Sequence, residues 1–467
     1  MSAAAPALPP RTGWASLKDL NRYQWFVFIV CCLAWDLDCM DQQLFVLART
    51  PALSALMDKP ANNPDVTTMG TYATSVFLIG WGIGGIGFGV LGDRLGRVRT
   101  LTITIGLYAM FTGLSALSLG PWDFLLYRLL TGLGVGGAFA SAVVLLAETV
   151  PDNARPYALG LFQASSVAGN CSAAFINMYL GSLQKDGVFP PGEWLTPWRL
   201  MFLIGILPGI LLVIVQFSLR EPDKWIAMRA AEASGKRPSA FKAFFGTLIG
   251  LFTTSPWNTR VLAGLFLTGA GVIGLWGIGF FAVDLVGRAL ESTLTAEGLS
   301  GEQLKGELGW WRGITSLLQN GGAFLGIFAF SWVTGIFGRR TTFGVFFILA
   351  MFSTAGTFWF LRTREDILWM IPIMGFCQLA LFGGYAIYLP ELFPTKYRST
   401  GTSFCYNAGR LVAAAGPAAL GQLTAVVFAD KGMDAFRYAG VSMCSIFLVG
   451  LLVLPFLPET KGKPLPE

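Results

Sequence analysis

The chain has 467 residues, 54% of them hydrophobic and only 13% charged, with a formal net charge of +6 and a mean hydropathy of +0.59. A soluble protein of this length carries about 25% charged residues, so the composition excludes a water-soluble domain and points to an all-α polytopic membrane protein. In that setting the positive charge belongs to loop topology and not to nucleic acid. There is no histidine, and the seven cysteines fall mostly in apolar runs without paired spacing. Neither a metal site nor a disulfide framework is therefore expected. No phosphate-binding G-x-x-x-x-G-K-[ST] loop or nucleophile elbow occurs, so no cofactor and no enzymatic chemistry are expected.

The N-terminal segment, 1–22, is polar and proline-bearing. It lacks the charged-then-apolar order of a cleavable signal. Apolar windows of spanning length then recur at 23–48, 69–92, 98–118, 122–149, 156–180, 198–219, 259–287, 309–335, 340–361, 367–390, 399–428 and 436–457. Twelve transmembrane helices put both termini on one side. With that side cytoplasmic, the termini and the even-to-odd loops hold most of the 33 Lys and Arg, which is the bias that sets orientation in a cell (inner) membrane. The longest polar stretch, 220–258, lies between spans six and seven. It divides the chain into six-helix bundles at 23–219 and 259–457, with a tail at 458–467.

The first window ends in Trp35-Asp-Leu-Asp-Cys-Met-Asp-Gln-Gln43. Asp36, Asp38 and Asp41 thus lie inside an apolar segment, where an ionised carboxylate costs a few kcal/mol. Asp38 and Asp41 are three apart and share a helix face; Asp36 is rotated by about 200° from Asp38. Desolvation and a like charge both favour the neutral form of a carboxyl. Asp38 or Asp41 could therefore load a proton from one side and release it on the other, while Asp36 is the odd one out. The alternative is a static cluster of buried ion pairs.

After span two comes Gly92-Asp93-Arg94-Leu-Gly96-Arg97, and after span eight Gly335-Ile-Phe-Gly338-Arg339-Arg340. After span four comes Glu148-Thr-Val-Pro-Asp-Asn-Ala-Arg155, and after span ten Glu391-Leu-Phe-Pro-Thr-Lys-Tyr-Arg398. Gly96 and Gly338 are 242 positions apart, Glu148 and Glu391 243. One nearly constant offset for two motifs makes the halves parallel repeats, the plan of one class of secondary transporter. In the first loop Asp93 is expected to accept hydrogen bonds from arginines and to sit at a helix N-terminus.

Two arginines lie more than a turn inside their spans: Arg128 early in span four, and Arg410 in Tyr406-Asn407-Ala-Gly-Arg410 of span eleven. A guanidinium there faces the bundle interior and forks onto a carboxylate. Arg128 is expected either to tune the span-one aspartates or to bind a substrate carboxylate. Arg410, Tyr406 and Asn407 form a candidate anion site, with a structural pairing of Arg410 as the alternative. Gln319 and Asn320 in span eight suit a polar ligand or a helix contact. Trp310, Trp311 and Asp284 read as interface or outer-gate residues, and the small residues of spans two, four, five and eleven as close packing.

These motifs resemble the major facilitator superfamily along essentially the whole chain. Gly89 to Arg99 is similar to the family's loop signature after span two, and Arg128-Leu-Leu-Thr-Gly-Leu-Gly to its span-four signature. Arg220-Glu221-Pro-Asp-Lys-Trp225 and Pro458-Glu-Thr-Lys-Gly462 are similar to the ends of spans six and twelve in sugar-porter and organic-ion branches. Asp38-Cys-Met-Asp41 resembles the D-x-x-D signature of organic-acid proton symporters of the aromatic-acid and sialate type, with Cys39 where those relatives usually have glycine.

The resemblance implies a twelve-helix, two-bundle monomer working by alternating access. It would move a small organic anion together with protons. Asp93, Arg94, Arg97, Glu148, Arg155, Glu391 and Arg398 would form its cytoplasmic gate. A sugar or polyol carrier and a non-transporting solute sensor are the alternative readings.

Overall fold

The computed structural model describes residues 13–151, 154–190, 192–234 and 240–461. Asp152 and Asn153 of the repeated motif, and the outer parts of both terminal segments, lie outside them, as do the side chains of Asp93 and Arg398. All regular structure among the described residues is helical.

The first half comprises α1 (Arg22–Met57), α2 (Pro64–Leu95), α3 (Arg97–Ala116), α4 (Pro121–Thr149), α5 (Arg155–Lys185) and a sixth crossing broken into α6 (Pro197–Ile204) and α7 (Pro208–Ser218). The second half begins with a seventh crossing made of α10 (Trp257–Val272) and α11 (Ala282–Ala296). It continues through α12 (Gly301–Phe337), α13 (Arg339–Phe360), α14 (Arg364–Leu392), α15 (Thr395–Ala413) with α16 (Ala415–Gln422), and α17 (Ala435–Met443) with α18 (Ile446–Val453). The twelve expected spans are all present.

Among the described residues, nine of the crossings are long and apolar enough to traverse a bilayer on length and composition alone. The other three are α3, the α5 crossing and the broken sixth, where threonines, amides or a helix break dilute the apolar run. Segment 220–258, expected as a loop, holds α8 (Asp223–Ala233) and α9 (Ala240–Thr253). The sequence AFKAFFGTLIGLFT of α9 is apolar enough to dock: Phe252 meets Phe404 of α15 edge-on with ring centres 5.3 Å apart.

Glycines set the tightest helix contacts, as expected from their density. A Cβ added at Gly80 or Gly84 of α2 would fall against a backbone carbonyl of α4, and one at Gly132 or Gly136 of α4 against a carbonyl of α2. In the second half Gly322 and Gly326 of α12 meet carbonyls of α14, and Gly375 of α14 meets one of α12. Gly80 and Gly322, Gly84 and Gly326, and Gly132 and Gly375 are 242 or 243 positions apart. The repeat therefore extends from the loops into the packing of the bundles. Without a hydrophobic drive between helices in lipid, such close approach supplies much of the association energy.

The crossings have two ends. One carries Asp58, Lys185 and Leu361 and is called here the Lys185 end; the other carries Gly96, Val150, Leu219 and Phe393 and is called the Glu148 end. At the Lys185 end the halves are joined by side chains. Lys185 Nζ pairs with Glu307 at 2.7 Å and Gln184 Nε2 donates to Glu302 Oε2 at 2.6 Å. Asn177 Nδ2 donates to the Gly309 carbonyl at 2.6 Å, and Asn170 Nδ2 to Asn320 Oδ1 at 2.8 Å. Asn177, Asn170 and Gln163 recur every seven residues on one face of α5. Gln163 on that face is exposed, and a Cβ at Gly160 would have nothing within 4 Å. The α5–α12 seam therefore closes at the Lys185 end and parts towards the Glu148 end.

Candidate functional site

Tyr406, Asn407 and Arg410 share a face of α15, since positions three and four apart are neighbours on a helix. Arg410 is 4% exposed and donates to Asn407 Oδ1 at 3.2 Å. Its guanidinium carbon lies 4.0 Å from the Tyr406 ring centre and 4.2 Å from that of Trp81. Trp81 meets Trp276 edge-on at 5.6 Å, and Trp276 meets Phe280 at 4.7 Å. Trp81 belongs to the first half, whereas Arg410 and Trp276 belong to the second, so the cluster bridges the two bundles. Aromatic faces attract a guanidinium by about 0.5–2 kcal/mol each, more when water is excluded.

Trp276 sits where the seventh crossing breaks. A π-helical turn occupies Ile273–Ile278 and a 3-10 turn Gly279–Phe281. Broken helices inside a bilayer free backbone groups that must find partners within the protein. Gln319 Nε2 answers by donating to the Gly279 carbonyl at 3.2 Å. Gln378, meanwhile, donates to Thr354 Oγ1 at 2.7 Å. Asn320 donates to the Ser316 carbonyl at 2.9 Å while its oxygen takes the bond from Asn170. Gln319 and Asn320 thus hold the broken helix and the seam between halves, and Gln319 Oε1 is left buried without a partner among the described residues.

The two span-one carboxylates have different neighbours. Asp38, 1% exposed, accepts from Gln42 Nε2 at 3.2 Å through one oxygen, and its other oxygen has no partner among the described residues. Asp41 of the same helix face is its nearer charged neighbour; Arg410 faces it across the interface without a direct ion pair among the described residues. Asp41 is fully buried with neither oxygen bonded among the described residues, and a Cβ at Gly205 would stand 2.9 Å from its Oδ1. Its electrostatic partner is Arg128.

Arg128 is enclosed within the first half. Its Nε and Nη2 donate to Ser115 Oγ at 3.1 and 2.5 Å, and Phe202, Phe45 and Phe124 surround it with ring centres at 4.7, 5.5 and 5.8 Å. Its Nη1 is buried without a partner among the described residues. Asp36 is half-buried on another side of α1, where its backbone carbonyl packs on Gly169 of α5. Sequence reasoning missed Tyr108 and Thr112 of α3, two buried hydroxyls without partners among the described residues in the neighbourhood of these carboxylates. It also missed Trp81, which carries no polar pattern to single it out.

At the Glu148 end each half contains the same three-part network. Arg97 forks onto Glu148, with Nε and Nη2 at 3.2 and 3.0 Å from the carboxylate oxygens, and Arg339 forks onto Glu391 at 3.1 and 2.9 Å. Glu221 accepts from the backbone N–H groups of Arg97, Val98 and Arg99 at 2.7, 3.2 and 3.3 Å, at the positive N-terminus of α3. Glu459 does the same for Arg339 and Arg340 of α13 at 2.9 and 3.0 Å. The helix that follows each glutamate's target begins at a left-handed glycine, Gly96 at φ 111° and Gly338 at φ 88°.

The backbone of Asp93 lies in the last turn of α2, and its expected bonds to arginines fall outside the described side chains; at the N-terminus of the following helix the described carboxylate is that of Glu221. Burial opposes the charge on Glu459, but backbone N–H groups from Arg339, Lys461, Arg340 and Thr460 outweigh it and hold the carboxyl below the usual glutamate range. Arg155 donates from Nε to the Ala147 carbonyl at 2.7 Å, and Arg94 is exposed on the last turn of α2.

At the Lys185 end, Asp284 of α11 joins the two halves: one oxygen accepts from Arg49 of α1 and the other from Thr50.

The sequence pattern of the family described as "Sugar (and other) transporter" matches residues 45–242 and 302–467. The chain is 29% identical over 450 residues to a putative metabolite transport protein of Haemophilus influenzae, covering 96% of this chain and 99% of that one. It is 28% identical to the cis,cis-muconate transport protein of Acinetobacter baylyi, covering 84% and 85%. Among solved structures, a D-xylose–proton symporter superposes with a TM-score of 0.69 at 18% identity, over 95% of this chain and 100% of that one.

Proposed function

The chain belongs to the sugar (and other) transporter family of the major facilitator superfamily, and from that premise we propose that it carries a small unsaturated or aromatic carboxylate together with protons. The observation that carries this reading is Arg410, held between the faces of Trp81 and Tyr406 at the junction of the two halves. A guanidinium has five N–H donors in a planar fork, and Asn407 takes one of them. A planar acid can place its carboxylate on that fork and its π-system among Trp81, Trp276, Tyr406 and Phe280. The relatedness to a muconate transport protein, whose cargo by name is an unsaturated dicarboxylate, supports the same substrate class.

Asp38 competes with the substrate for Arg410. While Asp38 is ionised, its charge engages the guanidinium; when it takes a proton, Arg410 is released for the incoming carboxylate. Proton and anion then enter as a pair, and the charge held at the centre is the same with substrate as without it. Asp41 and Arg128 form a second pair inside the first half, with Tyr108 and Thr112 as candidate relays. Arg128 acts on the proton site and does not touch cargo. The networks of Arg97 with Glu148 and of Arg339 with Glu391 belong to the gate at the Glu148 end, together with Asp93, Arg94, Arg155 and Arg398. We assign that end to the cytoplasm of a cell membrane, on the charge bias of its loops, and the working unit to a monomer of two bundles at 23–219 and 259–457.

Uptake of labelled carboxylates into proteoliposomes with an inward proton gradient tests the proposal. Accumulation of an unsaturated or aromatic acid that collapses when the gradient is dissipated is the expected result. Accumulation of a neutral sugar, with no carboxylate moved, would remove Arg410 and Asp38 from these roles.

A further inference from the structure

The Lys185 end encloses a second polar site that the transport cycle described above does not use. A cavity of about 40 Å³ lies between the halves, lined by Arg49, Thr67, Asp284, Arg288, Glu291 and Arg312 among others. Three guanidinium groups thus face two carboxylates. Asp284 is taken by Arg49 and Thr50. Arg288 donates to Thr67 Oγ1 and lies over the Phe436 ring at 4.7 Å. Arg312 is 8% exposed and makes no hydrogen bond or ion pair among the described residues. Its guanidinium lies along the backbone of α11, where a Cβ at Gly287 would be 2.8 Å from Nη2. The Nε atoms of Arg49 and Arg312 are both buried without partners among the described residues.

Buried arginine N–H groups without an acceptor are costly, and a charge left unpaired in such a place costs more. The cavity holds several times the roughly 10–15 Å³ that a single water needs. Its guanidinium-rich lining suits a small inorganic anion with a water beside it. We propose that this cavity binds a halide ion of the chloride class, which completes the charge balance of three arginines against Asp284 and Glu291. Arg49 and Thr67 come from the first half, whereas Arg288 and Arg312 come from the second. The site is therefore assembled only while the Lys185 end is shut. An anion that binds one conformation and not the other shifts the population towards the one it binds, so the ion acts as a clamp on the closed gate, distinct from the cargo site at Arg410.

The test is a thermal-stability titration of the purified full chain with sodium chloride, holding ionic strength constant with sodium isethionate, a bulky sulfonate, and with no carboxylate present. Chloride is expected to raise Tm saturably, as a ligand of the folded state does. Arg312→Gln should weaken the apparent chloride affinity by roughly tenfold, the size of one lost charge-assisted bond. Glu291→Gln should strengthen it severalfold by removing the opposing carboxylate, so the proposal stays testable if Arg312→Gln fails to fold. Equal Tm in chloride and isethionate, an unchanged chloride response in Arg312→Gln, or no gain in Glu291→Gln would each overturn the proposal. None of these outcomes depends on which cargo the protein carries.

Discussion

Glu221 and Glu459 do the same work in the two halves: each carboxylate sits on the first-turn N–H groups of a helix that begins at a left-handed glycine. A carboxylate at a helix N-terminus stabilises by about 0.3–1 kcal/mol, and by up to ~2 kcal/mol in partly buried geometry. Glu459→Gln keeps the shape and loses the charge, so a drop in Tm of a few degrees is expected, measured by thermal unfolding in detergent. The sign with pH follows from the held-down carboxyl. Its stabilisation is fully present above the ordinary glutamate pKa of about 4.3 and is lost as pH falls through the lower folded value. The variant should therefore differ from the parent at neutral pH and converge with it in strong acid. A difference that widens on acidification would show that Glu459 does not act through its charge.

Arg410 should not tolerate replacement by lysine. Lysine keeps the charge but loses the planar fork and the stacking on Trp81 and Tyr406. Arg410→Lys is expected to weaken carboxylate binding by at least about tenfold, and Arg410→Gln to abolish it, on the scale of a lost charge-assisted pair. Equilibrium binding of a labelled acid reads both. Affinity within twofold of the parent in Arg410→Lys would mean that the guanidinium geometry is irrelevant.

The aspartates should separate coupling from cargo binding. In Asp38→Asn the competitor for Arg410 is permanently neutral, so substrate exchange without a gradient should persist while proton-driven accumulation disappears. Counterflow and gradient-driven uptake, run in the same vesicles, distinguish the two. Loss of both activities in a correctly folded variant would assign Asp38 to the cargo site instead.

Gly80→Ala and Gly322→Ala should be equivalent, because each places a methyl group against a backbone carbonyl of the neighbouring helix. Overpacking costs about 1–3 kcal/mol, and a carbonyl cannot rotate aside as a side chain can. Both variants should lower Tm by several degrees, whereas Gly160→Ala, with open space around it, should leave Tm unchanged. A stable Gly322→Ala protein would contradict the close approach of α12 and α14.

Much of this organisation is legible in the sequence. Spanning length and the 242–243 offset between Gly96 and Gly338 or Glu148 and Glu391 define twelve crossings in two repeats, because both are local patterns in the chain. The role of Glu221 is not legible that way: its targets are N–H groups more than a hundred positions away, and any acidic residue after span six would look the same. Trp276 is one aromatic among many in an apolar run until the break at Ile273–Ile278 puts it between the halves. Arg128 and Arg410 look alike as intramembrane arginines. Only packing separates the one walled in by Phe45, Phe124 and Phe202 from the one at the junction.

The most direct measurement is ligand-induced stabilisation of the purified protein across unsaturated and aromatic carboxylates, sugars, polyols and amines, in the parent and in Arg410→Gln. A carboxylate that raises Tm in the parent and has no effect on the Arg410→Gln protein is the predicted result. Stabilisation by neutral sugars alone, equal in both proteins, would contradict the assignment of Arg410 as the anion receptor.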